Sequence, residues 1–348
     1  MVFPFRMNQV PDIASSIETG SLRLFHLKRF WSAVIAERQG MTIERKGETT
    51  LDMLLMNALG LGLHQTLQYL YSNAPTFTEF EKWIVATAGV PDRLQIERFN
   101  ADIEEKPQPD LVRQWLDSIE NCEPVLTRDD LAFWEKNGYV VLKDAVSEST
   151  REAAEKTIWQ HVAADPDSPN SWYKGCGQGG HGIMVELIQH PTLKANRHVS
   201  RVHKAFSQLW NTTDLWVTSD RCGFHPPQRN NHPFPGPDLH WDVDFTQPLT
   251  FATQGILYLT DTPSEQGALT LVPGFQHRLS DWLASLEPGA DPQQQDLHAL
   301  GSIAVDAQAG DMIIWHHALP HGSRPNLGER PRIVQYINML PGINYSRI

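Results

Sequence analysis

His240-Trp241-Asp242 holds more chemistry than any other local pattern in this sequence. On a strand, residues i and i+2 project from one face, so the imidazole and the carboxylate converge while Trp241 points away. A second histidine from elsewhere would complete a set of two imidazoles and one carboxylate. That set holds Fe(II) on one side and leaves positions for substrate and O2. The alternative is a hydrogen-bonded His–Asp pair without a metal, and with 15 histidines in the chain the pattern arises readily by chance. Further along, Gly310-Asp311 opens a turn and strand through Trp315 that leads into His316, His317 and His321, three rivals for the remaining ligand position. His317 and His321 have the spacing of a zinc-protease pair, but Pro320 between them forbids a helix and no Glu follows His317. Arg332 follows His321 at the head of a predicted strand. There it offers either a two-pronged grip on a carboxylate or a structural ion pair. Gly175-x-Gly177-x-x-Gly180 is spelled like a dinucleotide-binding turn, yet no strand precedes it and no βαβ unit surrounds it, so it reads as a loop.

These residues need a scaffold, and the chain has two textures. The first ~100 residues read as helices by apolar periodicity. Leu24, Leu27, Phe30, Trp31, Val34 and Ile35 form one stripe ahead of Gly40, and Leu51 to Tyr71 is a second apolar stretch. Thr76 with Glu79 spells a capping box. The polar run Glu104 to Asp110 marks a boundary. Beyond it, Thr127 to Asn137 and Ser147 to Val162 are predicted helices around the strand Tyr139–Leu142. Past Asp214, short apolar runs alternate with Gly- and Pro-rich turns. The predicted strands are Leu215–Ser219, Leu239–Phe245, Gly255–Thr260, Ala268–Val272, Ser302–Val305, Asp311–Trp315 and Ile333–Leu340. That spacing predicts an all-β sandwich or barrel.

The motifs together resemble the phytanoyl-CoA dioxygenase family. The resemblance rests on His240-x-Asp242, on Gly267-Ala268-Leu269-Thr270-Leu271-Val272-Pro273-Gly274, and on Gly310-Asp311 through His321-Gly322-Ser323 and Asn326 to Arg332, with the helix and strand from Thr127 to Leu142 ahead of them. It implies a mainly β double-stranded β-helix, or jelly-roll, core with flanking helices over residues 125–348. Residues 1–120 remain a helical region of unassigned role. It also implies an Fe(II)- and 2-oxoglutarate-dependent oxygenase that converts 2-oxoglutarate and O2 to succinate and CO2 while oxidising a small molecule. Under it, His240, Asp242 and His321 are the iron ligands and Arg332 grips 2-oxoglutarate. His316 and His317 fall at a non-ligand position, and Asp244 stands behind Asp242. Gln254, Ile256 and Tyr258 share a strand face toward the cavity, where the family has co-substrate contacts, and Tyr258 is a further candidate for 2-oxoglutarate. Arg221 and Trp241 are candidates for the substrate pocket, with 225–238 as its mouth loop. Two departures bear on substrate and packing: Gly274-Phe275-Gln276-His277 where Gly-Ser-His is usual, and Trp241 where a small or amide residue is common. Family relatives that halogenate carry Ala or Gly where Asp242 stands, so oxygenation is expected here. Two rival readings are a cupin-like metalloenzyme of another class and a non-catalytic jelly-roll scaffold.

Composition limits the partners. The 348 residues are 41% apolar and 20% charged, which provides for a buried core. Lys and Arg total 29 against 41 Asp and Glu, a net charge of −12, which argues against nucleic acid as a partner. No apolar run approaches a membrane span. Cys122, Cys176 and Cys222 are too few and too scattered for a disulfide framework, so a reducing, cytoplasmic setting is expected. Ser346-Arg347-Ile348 loosely matches a peroxisomal address. The apolar stripes of the N-terminal helices need a partner surface, either the β core or a second copy of the chain.

Overall fold

The computed structural model describes residues 12–45, 47–174, 182–343 and 345. The Gly175–Gly180 motif, Cys176 and Ser346 to Ile348 lie outside the described residues. The chain divides into two units, Met1–Asp117 with Pro341–Ile348, and Ser118–Leu340.

The first unit is helical, with α1 (Leu27–Arg38), α2 (Glu48–Leu59), α3 (Leu63–Asn73), α4 (Phe77–Ala88) and α5 (Arg93–Ile103); α6 (Asp110–Glu120) runs across the division. The apolar stretch 51–71 is two helices and not one. Gly60 ends α2 at φ +69°, a conformation that favours glycine, and α3 starts after Gly62. Thr76 caps α4 as its spelling predicts: its hydroxyl accepts the Glu79 N–H at 3.3 Å, and the Glu79 carboxylate accepts the Thr76 N–H at 2.8 Å. Phe30, Leu54, Leu55, Phe80 and Phe99 are fully buried.

The second unit holds helices α7 (Arg128–Asn137), α8 (Glu148–His161), α9 (Pro191–Arg197), α10 (Ser200–Trp210) and α11 (Leu279–Ser285). Its strands are β1 (Tyr139–Leu142), β2 (Met184–Val185), β3 (Leu215–Val217), β4 (Cys222–His225), β5 (Thr253–Tyr258), β6 (Thr270–Leu271), β7 (Ile303–Ala304), β8 (Met312–His316), β9 (His321–Gly322) and β10 (Arg332–Tyr336); β11 (Met339–Pro341) follows. A six-stranded antiparallel sheet has the order β1-β8-β5-β10-β4-β2, and a three-stranded one the order β7-β6-β9. Both sheets feed one buried cluster: Ile256, Tyr258, Ile313 and Val334 come from the larger, and Leu271 from the smaller. The registers that matter for the site set Gln254 opposite Trp315, Arg332 opposite His225, and His321 opposite Leu271.

Two predicted strands need correction, and one strand has no prediction. Leu239–Phe245 is not a strand: His240 alone forms a β-bridge, to His321, and the chain then turns. The span Ile333–Leu340 breaks between β10 and β11. β4 was not predicted; Cys222-Gly223-Phe224-His225 is too short and too mixed to show a period, but all four residues are buried. Cys122 and Cys222 are free thiols, and burial pushes the Cys222 thiol up to about 12, which leaves it unreactive.

Candidate metal centre

β9 is short, but it delivers His321 directly beside His240. The His240 N–H donates to the His321 carbonyl and the His321 N–H to the His240 carbonyl, both at 2.9 Å. Facing residues of such a pair project to the same side, and the two rings lie 4.8 Å apart between centroids. Asp242 joins them after one intervening residue. His240 Nε2 is 3.4 Å from Asp242 Oδ1, and His321 Nε2 is 3.3 Å from Asp242 Oδ2. One nitrogen or oxygen from each of the three falls within 4.8 Å of the others; this is the cluster of metal-ligand type among the described residues.

Backbone carbonyls fix which ring nitrogens face inward. His240 Nδ1 lies 2.7 Å from the Asp238 carbonyl oxygen, and His321 Nδ1 lies 3.1 Å from that of Leu319. A carbonyl only accepts, so both Nδ1 atoms carry the proton and both Nε2 atoms present lone pairs to the carboxylate. Three acceptors at this separation repel one another unless a cation stands among them. Protons are one such cation. Burial disfavours the His240 imidazolium, but the hydrogen bonds to Asp242 and Asp238 outweigh it and raise the His240 pKa. The hydrogen bonds from His240 and His321 hold Asp242 well below the usual carboxylate range. A divalent metal is the other cation, and two neutral imidazoles with one carboxylate suit Fe(II).

Asp242 itself is held from one side by an amide. Gln254 Nε2 donates to Asp242 Oδ2 at 2.6 Å, and Gln254 Oε1 accepts Trp315 Nε1–H at 3.0 Å. Trp241 turns the other way, into the core. It is 3% exposed, its Nε1–H donates to the Ala318 carbonyl at 2.9 Å, and Phe245, Phe275 and Trp282 pack around it. It does not line the pocket as expected, because the Ala318 carbonyl and these rings hold its indole in the core. The expected place of Asp244 behind Asp242 also fails: it is exposed and accepts the Thr246 N–H in a local turn.

A cavity of about 550 Å³ opens over the cluster, lined by His240, Asp242, His321, Gln254 and Arg332 among others. Arg332 is 1% exposed. Its Nη1 donates to the Gly267 carbonyl at 2.6 Å, but Nε and Nη2 are buried with no hydrogen-bond partner. A buried guanidinium with unmet donors facing a cavity is costly unless an anion completes it. A carboxylate, which accepts two N–H bonds side by side, fits that need. Arg324 and Arg330 are bonded elsewhere, to Thr270 Oγ1 at 2.8 Å and to the Pro166 carbonyl at 3.1 Å.

The remaining candidates divide. Gln254 and Ile256 line the cavity; Tyr258, two residues on, does not and is fully buried, with its hydroxyl oxygen accepting the Leu269 N–H at 2.9 Å. Arg221 lines the cavity and is paired with Glu186 at 3.4 Å and Asp220 at 3.5 Å. His316 meets Phe251 edge-on, with ring centroids 5.2 Å apart, and neither it nor His317 joins the cluster. The loop after β4 roofs a second cavity of about 390 Å³, lined by Pro226, Pro227, His232 and Phe234, which shares Gly182 and Pro235 with the first. Sequence reasoning missed Tyr336, which lines the main cavity near Arg332. It also missed Gln293, whose side chain accepts the Trp241 N–H at 3.0 Å and donates to the Trp241 carbonyl at 2.8 Å. The Tyr336 position was readable from β10 parity with Arg332; Gln293 sits in a polar run with no signal.

The phytanoyl-CoA dioxygenase family matches residues 134–334, more than half of the chain. A Dictyostelium discoideum protein assigned as a phytanoyl-CoA dioxygenase is 22% identical over 258 residues, 60% of this chain and 74% of its own. The ectoine dioxygenase of Sphingopyxis alaskensis is 23% identical over 273 residues, 68% of this chain and 81% of its own. The structure of HygX from Streptomyces hygroscopicus with nickel and 2-oxoglutarate bound is similar at 16% identity and a TM-score of 0.44, over 63% of this chain and 88% of that one.

Proposed function

The chain belongs to the phytanoyl-CoA dioxygenase family, and on that premise we propose that His240, Asp242 and His321 hold its iron and Arg332 its 2-oxoglutarate. The protein is an Fe(II)- and 2-oxoglutarate-dependent oxygenase that acts on a small-molecule substrate. One observation carries the assignment of residues. Two inward Nε2 lone pairs and a carboxylate share one cavity with a buried guanidinium that lacks partners for two of its nitrogens. The antiparallel sheets on a common core support reading the second unit as a double-stranded β-helix.

The iron with 2-oxoglutarate supplies O2 activation, coupled to decarboxylation of 2-oxoglutarate to succinate and CO2, a redox power no side chain here has. The residues do the rest. The carbonyls of Asp238 and Leu319 keep the imidazoles in the tautomer that can bind a metal. Arg332 anchors the far carboxylate of 2-oxoglutarate and so orients its other end toward the cluster. Ile256, Leu269 and Trp315 form apolar wall around it and limit water. The substrate takes the remaining cavity toward Arg221 and the 226–235 loop, since loops on a rigid scaffold choose ligands.

Anaerobic titration with Fe(II), followed by O2-dependent succinate release, tests this reading. One iron per chain is expected, lost in His240→Ala and His321→Ala and kept in His316→Ala and His317→Ala. Equal iron binding in all four variants would overturn the assignment.

A further inference from the structure

Asp242 sits where the backbone gives it little guidance. It lies past the end of the His240–His321 pairing, and its side chain is 56% exposed. A carboxylate so exposed rotates freely unless something holds it. We propose that Gln254 is a positioning residue that turns the Asp242 carboxylate toward the two imidazoles, with Trp315 setting the direction of the Gln254 amide. The inference rests on the reading of Asp242 as an iron ligand and extends it to a residue that touches no metal.

The chain of donors leaves no freedom. Trp315 is directly opposite Gln254 in the β5–β8 register, so the sheet sets their distance. An indole N–H only donates, so the Gln254 atom 3.0 Å from it must be the amide oxygen. The amide nitrogen then faces Asp242 Oδ2 at 2.6 Å and cannot do otherwise without breaking the first bond. With a metal bound, both His Nε2 atoms would give it their lone pairs, so neither could then hydrogen-bond the carboxylate. Among the described residues this leaves Gln254 as the side chain that donates to Asp242. Holding Oδ2 keeps Oδ1 facing His240 Nε2 at 3.4 Å. Partners of this kind behind metal ligands alter affinity by about 10- to 100-fold when removed.

The test uses Co(II) as the probe metal on the full-length chain, with affinity read from its visible absorption. Gln254→Met keeps side-chain length and volume but has no N–H. It is expected to weaken Co(II) binding about tenfold or more and to shift the absorption bands, while the metal-free chain still unfolds cooperatively. Trp315→Phe keeps Gln254 but frees its amide, and is expected to give a smaller loss of the same kind. It also serves should Gln254→Met fold poorly. Asp242→Ala, measured alongside, separates the outcomes. Should it lose Co(II) while Gln254→Met and Trp315→Phe bind with native affinity and spectrum, the positioning role falls and the metal centre stands. Should Asp242→Ala itself bind normally, the metal centre falls and the positioning role with it.

Discussion

Two imidazoles and a carboxylate are common in proteins; what distinguishes these three is the direction of their lone pairs. Each Nδ1 is committed to a backbone carbonyl, so neither Nε2 can satisfy Asp242 by donating to it in the neutral state. Arg332 presents the complementary case, a cation with donors left over. Arg332→Ala is expected to raise the 2-oxoglutarate requirement while iron still binds. Losing a charged hydrogen-bond partner costs about 1.5–3 kcal/mol, or about a tenfold to hundredfold shift, readable from succinate release against 2-oxoglutarate concentration. An unchanged requirement would move the grip to another residue of the cavity. Asp242 also bears on reaction outcome. As the proposed iron ligand, its negative charge would disfavour chloride there, so turnover in excess chloride should yield oxygenated or desaturated product. A chlorinated main product, detected by mass spectrometry, would mean that Asp242 does not bind the iron.

The elements hold this arrangement by unequal means. His321 is anchored in the small sheet, opposite Leu271, whereas the 240–242 segment has a bridge at one end and a side chain at the other. Gln293 bonds both the N–H and the carbonyl of Trp241 and so stands in for the strand that is absent. Gln293→Ala should cost about 1–3 kcal/mol, the sum of two ordinary hydrogen bonds, and should lower metal affinity as well. Chemical denaturation and Co(II) titration on the same variant check both. Gly322 packs against the backbone that leads into His240. A Cβ there would collide with the Asp238 carbonyl group, 2.6 Å from its carbon, and that carbonyl orients His240. Gly322→Ala is therefore expected to destabilise by about 1–3 kcal/mol, because backbone must move to admit the methyl. A native denaturation midpoint and native Co(II) affinity would show that the segments have slack.

For the molecule as a whole, the core beside the cavity carries a titration signature. His225 lies in β4 opposite Arg332, and burial, aided by the Arg332 charge, pushes its pKa down to about 3. The unfolded chain protonates this imidazole at an ordinary pKa near ~6.5, so between about 3 and ~6.5 the unfolded state binds the extra proton. Stability from this group is complete above ~6.5 and declines as pH falls toward 3, by up to ~1.4 kcal/mol per pH unit. Urea midpoints between about pH 7 and pH 5 should fall less steeply in His225→Gln than in the native chain. Identical slopes would show that His225 is protonated in the fold.

Local chemistry was readable from the residues themselves. The Thr76–Glu79 cap, the β1, β5 and β8 strands, and Arg332 at the head of β10 follow from side-chain type and short-range period, which act within a few residues. His240-x-Asp242 announced its donors in the same way. Residue types left three histidines open for the third position, and the family resemblance pointed to His321; pairing of His321 with His240 is a matter of register between distant segments, which no local pattern encodes. The same holds for Trp241, named for the pocket but buried in an aromatic cluster, and for Gln293 and Gln254, whose amides meet their partners only across the fold. Whether Arg332 is an ion pair or an open grip was likewise undecided by its type. Desolvation decides it, since only the folded core strips water from its guanidinium and withholds a carboxylate in return.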